Sequence, residues 1–316
     1  MTHNEAFVGI DVAKHELVIY LHPRGTCWRV DNTPMGRDQL VRRLRRLAAA
    51  HILRIGFEAS GGYERKLAIL LERKGLAGYL LDPSRVHSFG RAEGKLAKTD
   101  PLDAALIARA LAALHGDLVP FRHDPVAERL TERVRLREVA LVQVGQLTNQ
   151  LENMADAVSR RIVNQQVTRL KALILRLEAI IASLITSCPD LARREKLLRS
   201  APGVGPIVAA TLLAHMPELG SLSSRQVASL AGLAPFDRQS GTSRKPGRCQ
   251  AGRPAIRRAL YMAALSILRS KSPLANLAKR LRENGKPAKV AIIATARKLL
   301  VALNAMLKQE VPFQAR

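Results

Sequence analysis

Four acidic residues stand where they could do chemistry: Asp11, Glu58, Asp100 and Asp103. Asp11 lies at the end of one apolar run and Glu58 at the end of another, and strand ends in an α/β sheet are where ligands converge. Asp100 and Asp103 are three apart, so both can point to one side of a helix start. Four carboxylates in one place repel strongly unless a cation binds them. Mg²⁺ takes carboxylate oxygens while keeping waters, Mn²⁺ is a second choice, and paired metals of this kind stabilise both the attacking and the leaving oxygen of a phosphoryl transfer. Each acid also has a plainer reading. Asp100-Pro101 followed by Asp103 makes a good helix start, with Asp100 as N-cap and Asp103 favouring the dipole. Asp11 suits a hairpin turn. Glu58, beside a buried strand and ASGGYE, is harder to place that way, and the combination of the four tips the balance towards a metal site.

The elements that must position these acids follow from the hydrophobic patterning. Residues 6–13 and 16–22 read as two strands around a short turn, 26–32 as a third and 52–59 as a fourth, largely buried one. Residues 36–50 form an amphipathic helix with Leu40, Leu44 and Leu47 at helical spacing. Residues 62–75 form a helix closed by Gly75, 77–83 a fifth strand ended by Pro83, and 100–114 a helix with Pro101 in its first turn. The order gives a mixed α/β sheet with a leading antiparallel meander.

The 316 residues include 51 Lys and Arg against 26 Asp and Glu, a net charge of +25, and such an excess calls for a polyanion, of which nucleic acid is the natural one. Cys27, Cys188 and Cys249 are odd in number and far apart, and the eight histidines show no ligand spacing, so neither a zinc site nor a disulfide framework is supported. No basic-then-apolar leader is present and no apolar run reaches the roughly 18 residues of a membrane span, so a cytoplasmic chain without a membrane partner is expected. Aromatic residues at 3% argue against a base-stacking platform and for backbone contacts by Lys and Arg. The segment GRAEGKL falls one residue short of a P-loop and has Leu96 where Ser or Thr is required. The run VRRLRRL at 41–47 reads as a solvated helix face.

From about 125 to 187, Val144, Leu147, Leu151, Met154 and Val158, then Leu170, Ile174, Leu177, Ile181 and Leu184, repeat at heptad-like spacing with a polar NQQ at 164–166 between them. These predict a helical hairpin or coiled-coil arm. Beyond 190 the chain is mostly helical. APGVGP, holding Gly203 and Gly205, is either a phosphate-binding turn between two helices or an ordinary tight connection. Residues 235–254 read as a loop. Arg238, Arg244, Lys245, Arg248, Arg253, Arg257 and Arg258 follow one another without an intervening acid, and they are the candidate nucleic-acid contacts. The expected domains are 1–122, 123–189 and 190–316.

GIDVAKHEL, FEASGGYE and KTDPLDAALIA resemble the three motifs of a RuvC-like domain of RNase H fold. Together with LLRSAPGVGPIVAATLLAHMPELG, LAGLAPFDRQSG and GRPAIRRALYMAAL, they resemble the DEDD transposases of the one-hundred-and-ten family of bacterial insertion sequences. The resemblance covers nearly the whole chain in the right order. It implies an RNase-H-like N-terminal domain, a coiled-coil hairpin and a helical C-terminal domain. It also implies a DEDD tetrad of Asp11, Glu58, Asp100 and Asp103 binding Mg²⁺, and a nucleophilic Ser240 in RQSG.

By the same resemblance, the chain is a recombinase guided by a structured bridge RNA that pairs with donor and target DNA. It forms a covalent 5′-phosphoserine link, passes through a junction-like intermediate, and works as a dimer or tetramer. Read from the residues alone, Ser240 is a serine in a basic loop, with Arg238, Arg244 and Lys245 near in sequence to neutralise a phosphate, and Ser243 is an equally exposed candidate. A metal-dependent junction nuclease using water, and a non-catalytic nucleic-acid-binding protein, are the competing readings.

Overall fold

Alternation along the first strand sets the layers of the N-terminal unit. In β1 (Glu5–Val12), Ala6, Val8, Ile10 and Val12 pack with Leu40, Val41 and Leu44 of α1 (Pro34–Ala48) and with Leu67, Ala68 and Leu71 of α2 (Arg65–Arg73). Phe7 points the other way, onto Ile107, Ala110 and Leu111 of α4 (Asp100–Leu114). The period of two thus sends alternate residues to two different helical layers. β1 pairs antiparallel with β2 (Glu16–His22), which pairs antiparallel with β3 (Thr26–Asp31). On its other side β1 pairs parallel with β4 (Ile52–Glu58), and β4 pairs parallel with β5 (Gly78–Leu81). The sheet order is β3-β2-β1-β4-β5, the meander and mixed sheet expected from the sequence and compatible with an RNase-H-like domain.

The computed structural model describes residues 5–94, 99–240, 243–249 and 252–314, with the side chains of residues 117, 236–240 and 243–248 outside that description. The chain forms two compact units, Met1–His123 and Asp124–Arg316. The first contains a helix that the sequence reading missed, α3 (Pro83–Ala92). Asp82 caps it by accepting hydrogen bonds from the Ser84 and Arg85 amides, and Pro83 opens it, so the fifth strand ends in a helix start. Of the segment that hints at a P-loop, Gly90 lies inside α3, packed against Leu106, and Lys95 and Leu96 lie outside the described residues.

In the second unit, α5 (Pro125–Glu152) and α6 (Ala157–Ser187) form an antiparallel hairpin. Arg137 donates to Glu178 across it. The heptad seams place the turn wrongly. The chain reverses at 153–156, inside the first seam, and NQQ lies within α6. The reversal is fixed by local bonds: Asp156 caps α6 through the Ser159 amide, and Arg160 donates to the Leu151 and Met154 carbonyls that α5 leaves open. Val158 is consequently 58% exposed, whereas Ile174, Leu177, Ile181 and Leu184 of the second seam are buried. The base of the hairpin, with Leu130, Val134, Ile181 and Ile185, joins one core with α7 (Pro189–Arg199), α8 (Pro206–His215), α9 (Ser224–Leu230), α10 (Pro254–Ile267), α11 (Pro273–Glu283) and α12 (Ala288–Gln309).

Two further differences have physical causes. The basic segment read as a loop is an antiparallel ribbon, β6 (Pro235–Ser240) and β7 (Ser243–Cys249), with an irregular register between Phe236 and Arg238. Its sequence, dense in Arg, Lys, Gly and Ser, carries no apolar alternation from which strands could be read. α12 has the length and composition of a membrane span, but half of that stretch is buried in the core. There Asn304 donates to the Leu222 carbonyl and accepts from the Gly220 amide.

Two glycines separate packing from propensity. A Cβ at Gly9 would overlap the Ala104 carbonyl oxygen and the Ala108 amide of α4, whereas Gly145, inside α5, has open space around it. Gly9→Ala is expected to destabilise the N-terminal unit by about 1–3 kcal/mol. Gly145→Ala is expected to stabilise its helix by up to about 1 kcal/mol. Urea unfolding of the two variants measures both.

Candidate active site

The acids converge because α4 can approach the sheet closely. Gly9 on β1 pairs in register with Gly56 on β4, and a Cβ at Gly56 would crowd Leu111 of α4. Two neighbouring glycines therefore let α4 settle on this face, with the small residues Ala104 and Ala108 against Gly9. α4 runs antiparallel to β1: Phe7 packs near Leu111, Gly9 meets Ala104 and Ala108, and Asp11 meets the helix start. Asp11 is two strand residues beyond Gly9, about 6.6 Å. Asp100 is four helix residues before Ala104, about 6 Å. The matched rises bring the strand end and the helix start to one level.

There Asp11, Asp100 and Asp103 each offer a carboxylate oxygen, all within 4.8 Å of one another. Octahedral coordination at about 2.1 Å puts opposite ligands about 4 Å apart, so these three oxygens suit one small divalent cation with little movement. Asp11 and Asp103 are half-buried and Asp100 is exposed, which leaves a side open for water or a phosphate oxygen. The helix start corrects one reading of the sequence. Thr99 holds the N-cap position with extended backbone, and Asp100 is the first helical residue, so its carboxylate is not the cap. The positive end of the α4 dipole adds to the stabilisation of negative charge at both helix acids.

Glu58 stands outside this triad but on the same side. Phe57 pairs with Ile10, so Glu58 and Asp11 come next on adjacent parallel strands, both two residues past a glycine and both on the α4 face. The loop after Glu58 is held by Glu64, whose Oε2 accepts from the Ser60 and Gly62 amides and the Ser60 hydroxyl. The sequence carried a signal for this arrangement that went unread: Gly-Ile-Asp at 9–11 and Gly-Phe-Glu at 56–58 repeat one spacing.

In the second unit, Ser240 and Ser243 pair at the tip of the β6–β7 ribbon. The side chains of Ser240, Arg238, Arg244, Lys245 and Arg248 lie outside the described residues. Arg253, a candidate nucleic-acid contact, is engaged within the protein. Its two Nη atoms donate to both oxygens of Glu218, and Nη1 also donates to the His215 carbonyl. Its amide donates to Leu230, and Gly252 before it lies directly on Gly232, so the ribbon base is locked to the helical core. Burial pushes the Glu218 carboxyl up, but the bond and charge of Arg253 prevail and hold it below the usual range.

Of the remaining candidates, Arg258 is exposed and Arg257 half-buried. Gly203 has positive φ, and a Cβ there would overlap the Ala263 carbonyl of α10, so it serves helix packing. Gly205 opens α8 with free space around it. Beside Arg253, His215 lies 3.5 Å from Glu138. Burial, with Arg135 and Arg253 near, lowers its pKa despite the opposing pull of Glu138.

Residues 8–159 match the DEDD transposase family of IS110, and residues 195–279 match the Transposase IS116/IS110/IS902 family. Over 99% of both chains, the sequence is 28% identical to the pilin gene-inverting protein of Moraxella lacunata and 29% identical to that of Moraxella bovis. It is also 31% identical, over 44% of this chain and 34% of the other, to an uncharacterized 43.6 kDa protein of insertion element IS110 from Streptomyces coelicolor.

Two outcomes follow from this geometry. Mg²⁺ at a hundred times its Kd stabilises a single-site protein by about 2.7 kcal/mol. Thermal unfolding of the N-terminal unit should shift upward with Mg²⁺ in the wild type, and the shift should vanish in Asp11→Asn. In the second unit, a histidine whose folded pKa is depressed contributes stability above its unfolded pKa of about 6.5 and loses it as pH falls through and below that value. Stability should therefore decline between pH 7 and 5, by at most about 1.4 kcal/mol per pH unit from this group. The Glu218 contribution should be lost further down, below the usual glutamate range. Denaturant titrations at several pH values should show the first decline flattened in His215→Gln.

Proposed function

The chain belongs to the IS116/IS110/IS902 family of transposases, enzymes that act on DNA, and from that premise we propose that it cuts and rejoins DNA strands as the recombinase of an insertion sequence. The observation that carries this reading is the convergence of Asp11, Asp100 and Asp103 beneath the start of α4, with Glu58 on the neighbouring strand. These acids fit Mg²⁺, with Mn²⁺ as a substitute. A divalent cation bound there supplies charge neutralisation at the phosphate and lowers the pKa of an oxygen it touches.

In this reading the N-terminal unit is an RNase-H-like domain of the RuvC type. Asp11 and Glu58 would hold the cation from the rigid sheet, and Asp100 and Asp103 would hold it from α4, where the helix dipole offsets part of their own repulsion. Ser240 is the nucleophile. Its Oγ bonds to the scissile phosphorus as the bond from phosphorus to the 3′-oxygen breaks. The hydroxyl proton passes to solvent or a carboxylate, and the departing 3′-oxygen takes one up. A 5′-phosphoserine link and a free 3′-hydroxyl result, which conserve the bond energy for rejoining without an external energy source. The position of Ser240 at the ribbon tip, ahead of a run of arginines, supports an encounter with a phosphate.

Gene inversion, the activity in the names of the Moraxella relatives, is an exchange of strands between two sites, which is the kind of reaction this chemistry serves. Two sites cut together require more than one protomer, so the working form is a dimer or tetramer. A structured guide RNA that pairs with donor and target DNA supplies sequence recognition, and the reaction takes place in the bacterial cytoplasm.

The test is a denaturant-resistant protein–DNA adduct formed with Mg²⁺, guide RNA and a suicide DNA substrate. The adduct is expected in the wild type and in Ser243→Ala, and is expected to be absent in Ser240→Ala and in Asp11→Asn. Cleavage that survives Ser240→Ala without an adduct identifies a hydrolytic nuclease instead.

A further inference from the structure

The run VRRLRRL, read from sequence as a solvated face, acquires a definite position in the fold. Leu40, Val41 and Leu44 of α1 are buried against the sheet, which turns Arg42, Arg43, Arg45 and Arg46 outward, and all four are exposed. Between Asp38 and Glu58 the chain has no acidic residue. None of the four arginines has a carboxylate partner among the described residues. Arg43 lies over the Trp28 ring, 3.9 Å from its centroid, a cation–π contact that restrains its guanidinium group. Arg24 and His51, hydrogen-bonded at 3.0 Å, lie where α1 leads into β4.

This face is remote from the carboxylates. α1 packs on the layer of Val8 and Ile10, whereas the acids lie on the layer of Gly9 and Gly56 under α4. α1 begins after Asp31, which pairs with Glu16 near the carboxylate end of the sheet, and leads into Ile52, which pairs with Glu5 at the other end. Eleven helical steps from Pro34 to Arg45 carry the patch about 16 Å along the helix, in addition to the thickness of the layers. DNA has a persistence length of about 50 nm. A duplex lying over the carboxylates therefore runs on past the domain and does not fold back to the opposite face.

We propose that the outer face of α1, through Arg42, Arg45 and Arg46 with Arg43 beside them, holds a second DNA duplex, distinct from the one at the carboxylates. The inference rests on the recombinase reading, since strand exchange needs two duplexes where a nuclease needs one. The partner is a duplex backbone because the patch offers guanidinium groups and its one aromatic ring is already covered by Arg43, so no stacking platform for unpaired bases remains.

The test uses the full chain and two short duplexes of arbitrary sequence, one immobilised and one fluorescent. Capture of the fluorescent duplex reports simultaneous binding of both. Arg42→Gln/Arg45→Gln/Arg46→Gln is expected to lower capture roughly tenfold or more. It is also expected to reduce the slope of log affinity against log salt by about 2 to 3, as three lost phosphate contacts require. Arg42→Lys/Arg45→Lys/Arg46→Lys, which keeps the charges, should restore capture, and circular dichroism should show the fold intact in both variants. Unchanged capture and salt slope in the glutamine variant overturn the proposal while leaving the recombinase reading in place. Intact DNA capture with lost binding of a structured RNA overturns it in favour of an RNA occupant. A wild-type chain that captures no duplex overturns it together with the recombinase reading.

Discussion

The close approach of α4 to the sheet at Gly9 is the contact on which the candidate site depends. A side chain at that position would meet helix backbone, which cannot rotate away, and so would lift the whole helix start. The acids gain their proximity from this one contact, because strand and helix diverge from it by equal distances before reaching Asp11 and Asp100. Packed interiors have low compressibility and transmit strain, so a displacement at Gly9 moves the start of α4 relative to Asp11. Gly56 extends the same groove to the neighbouring strand and puts Glu58 on the same side.

The sheet separates two tasks by parity. One face receives α4 and carries the carboxylates; the other receives α1 and α2 and turns arginines to solvent. A one-residue change of register in β1 would exchange these faces, and the buried alternation of Ala6, Val8, Ile10 and Val12 prevents it. The Asp11 carboxylate and the arginines of α1 are thereby kept on opposite faces of one sheet. A polyanion can then be held by arginine at one place while a phosphate is brought to a cation site at another.

The second unit solves a different problem, the anchoring of a basic two-stranded ribbon to a helical core. Isolated two-stranded ribbons are marginal in water. Here the base is fixed by the Arg253–Glu218 pair, by the Arg253 amide and by the backbone contact of Gly252 with Gly232. His215 at the end of α8 and Glu138 from α5 sit beside the same arginine, so the hairpin, the ribbon base and the helical core share one polar cluster.

Periodicity alone determined the five strands of the mixed sheet and most of the helices, though not the β6–β7 ribbon, because each face of the sheet must bury an apolar stripe whatever its partner. Residue type and position singled out Asp11, Glu58, Asp100 and Asp103, and charge pointed to nucleic acid; the family resemblance that includes LAGLAPFDRQSG added Ser240. Tertiary structure decided what depends on residues distant in sequence. It brought Asp11, Asp100 and Asp103 within reach of one cation and set Glu58 on the adjacent strand. It engaged Arg253 with a carboxylate 35 residues away, which no local pattern announces. It gave Gly203 to helix packing, and placed the hairpin turn where Asp156 and Arg160 close the helix ends, against a heptad pattern that continues through it. Spacing along the chain constrains which face a residue takes, and only packing across the chain decides what that face meets.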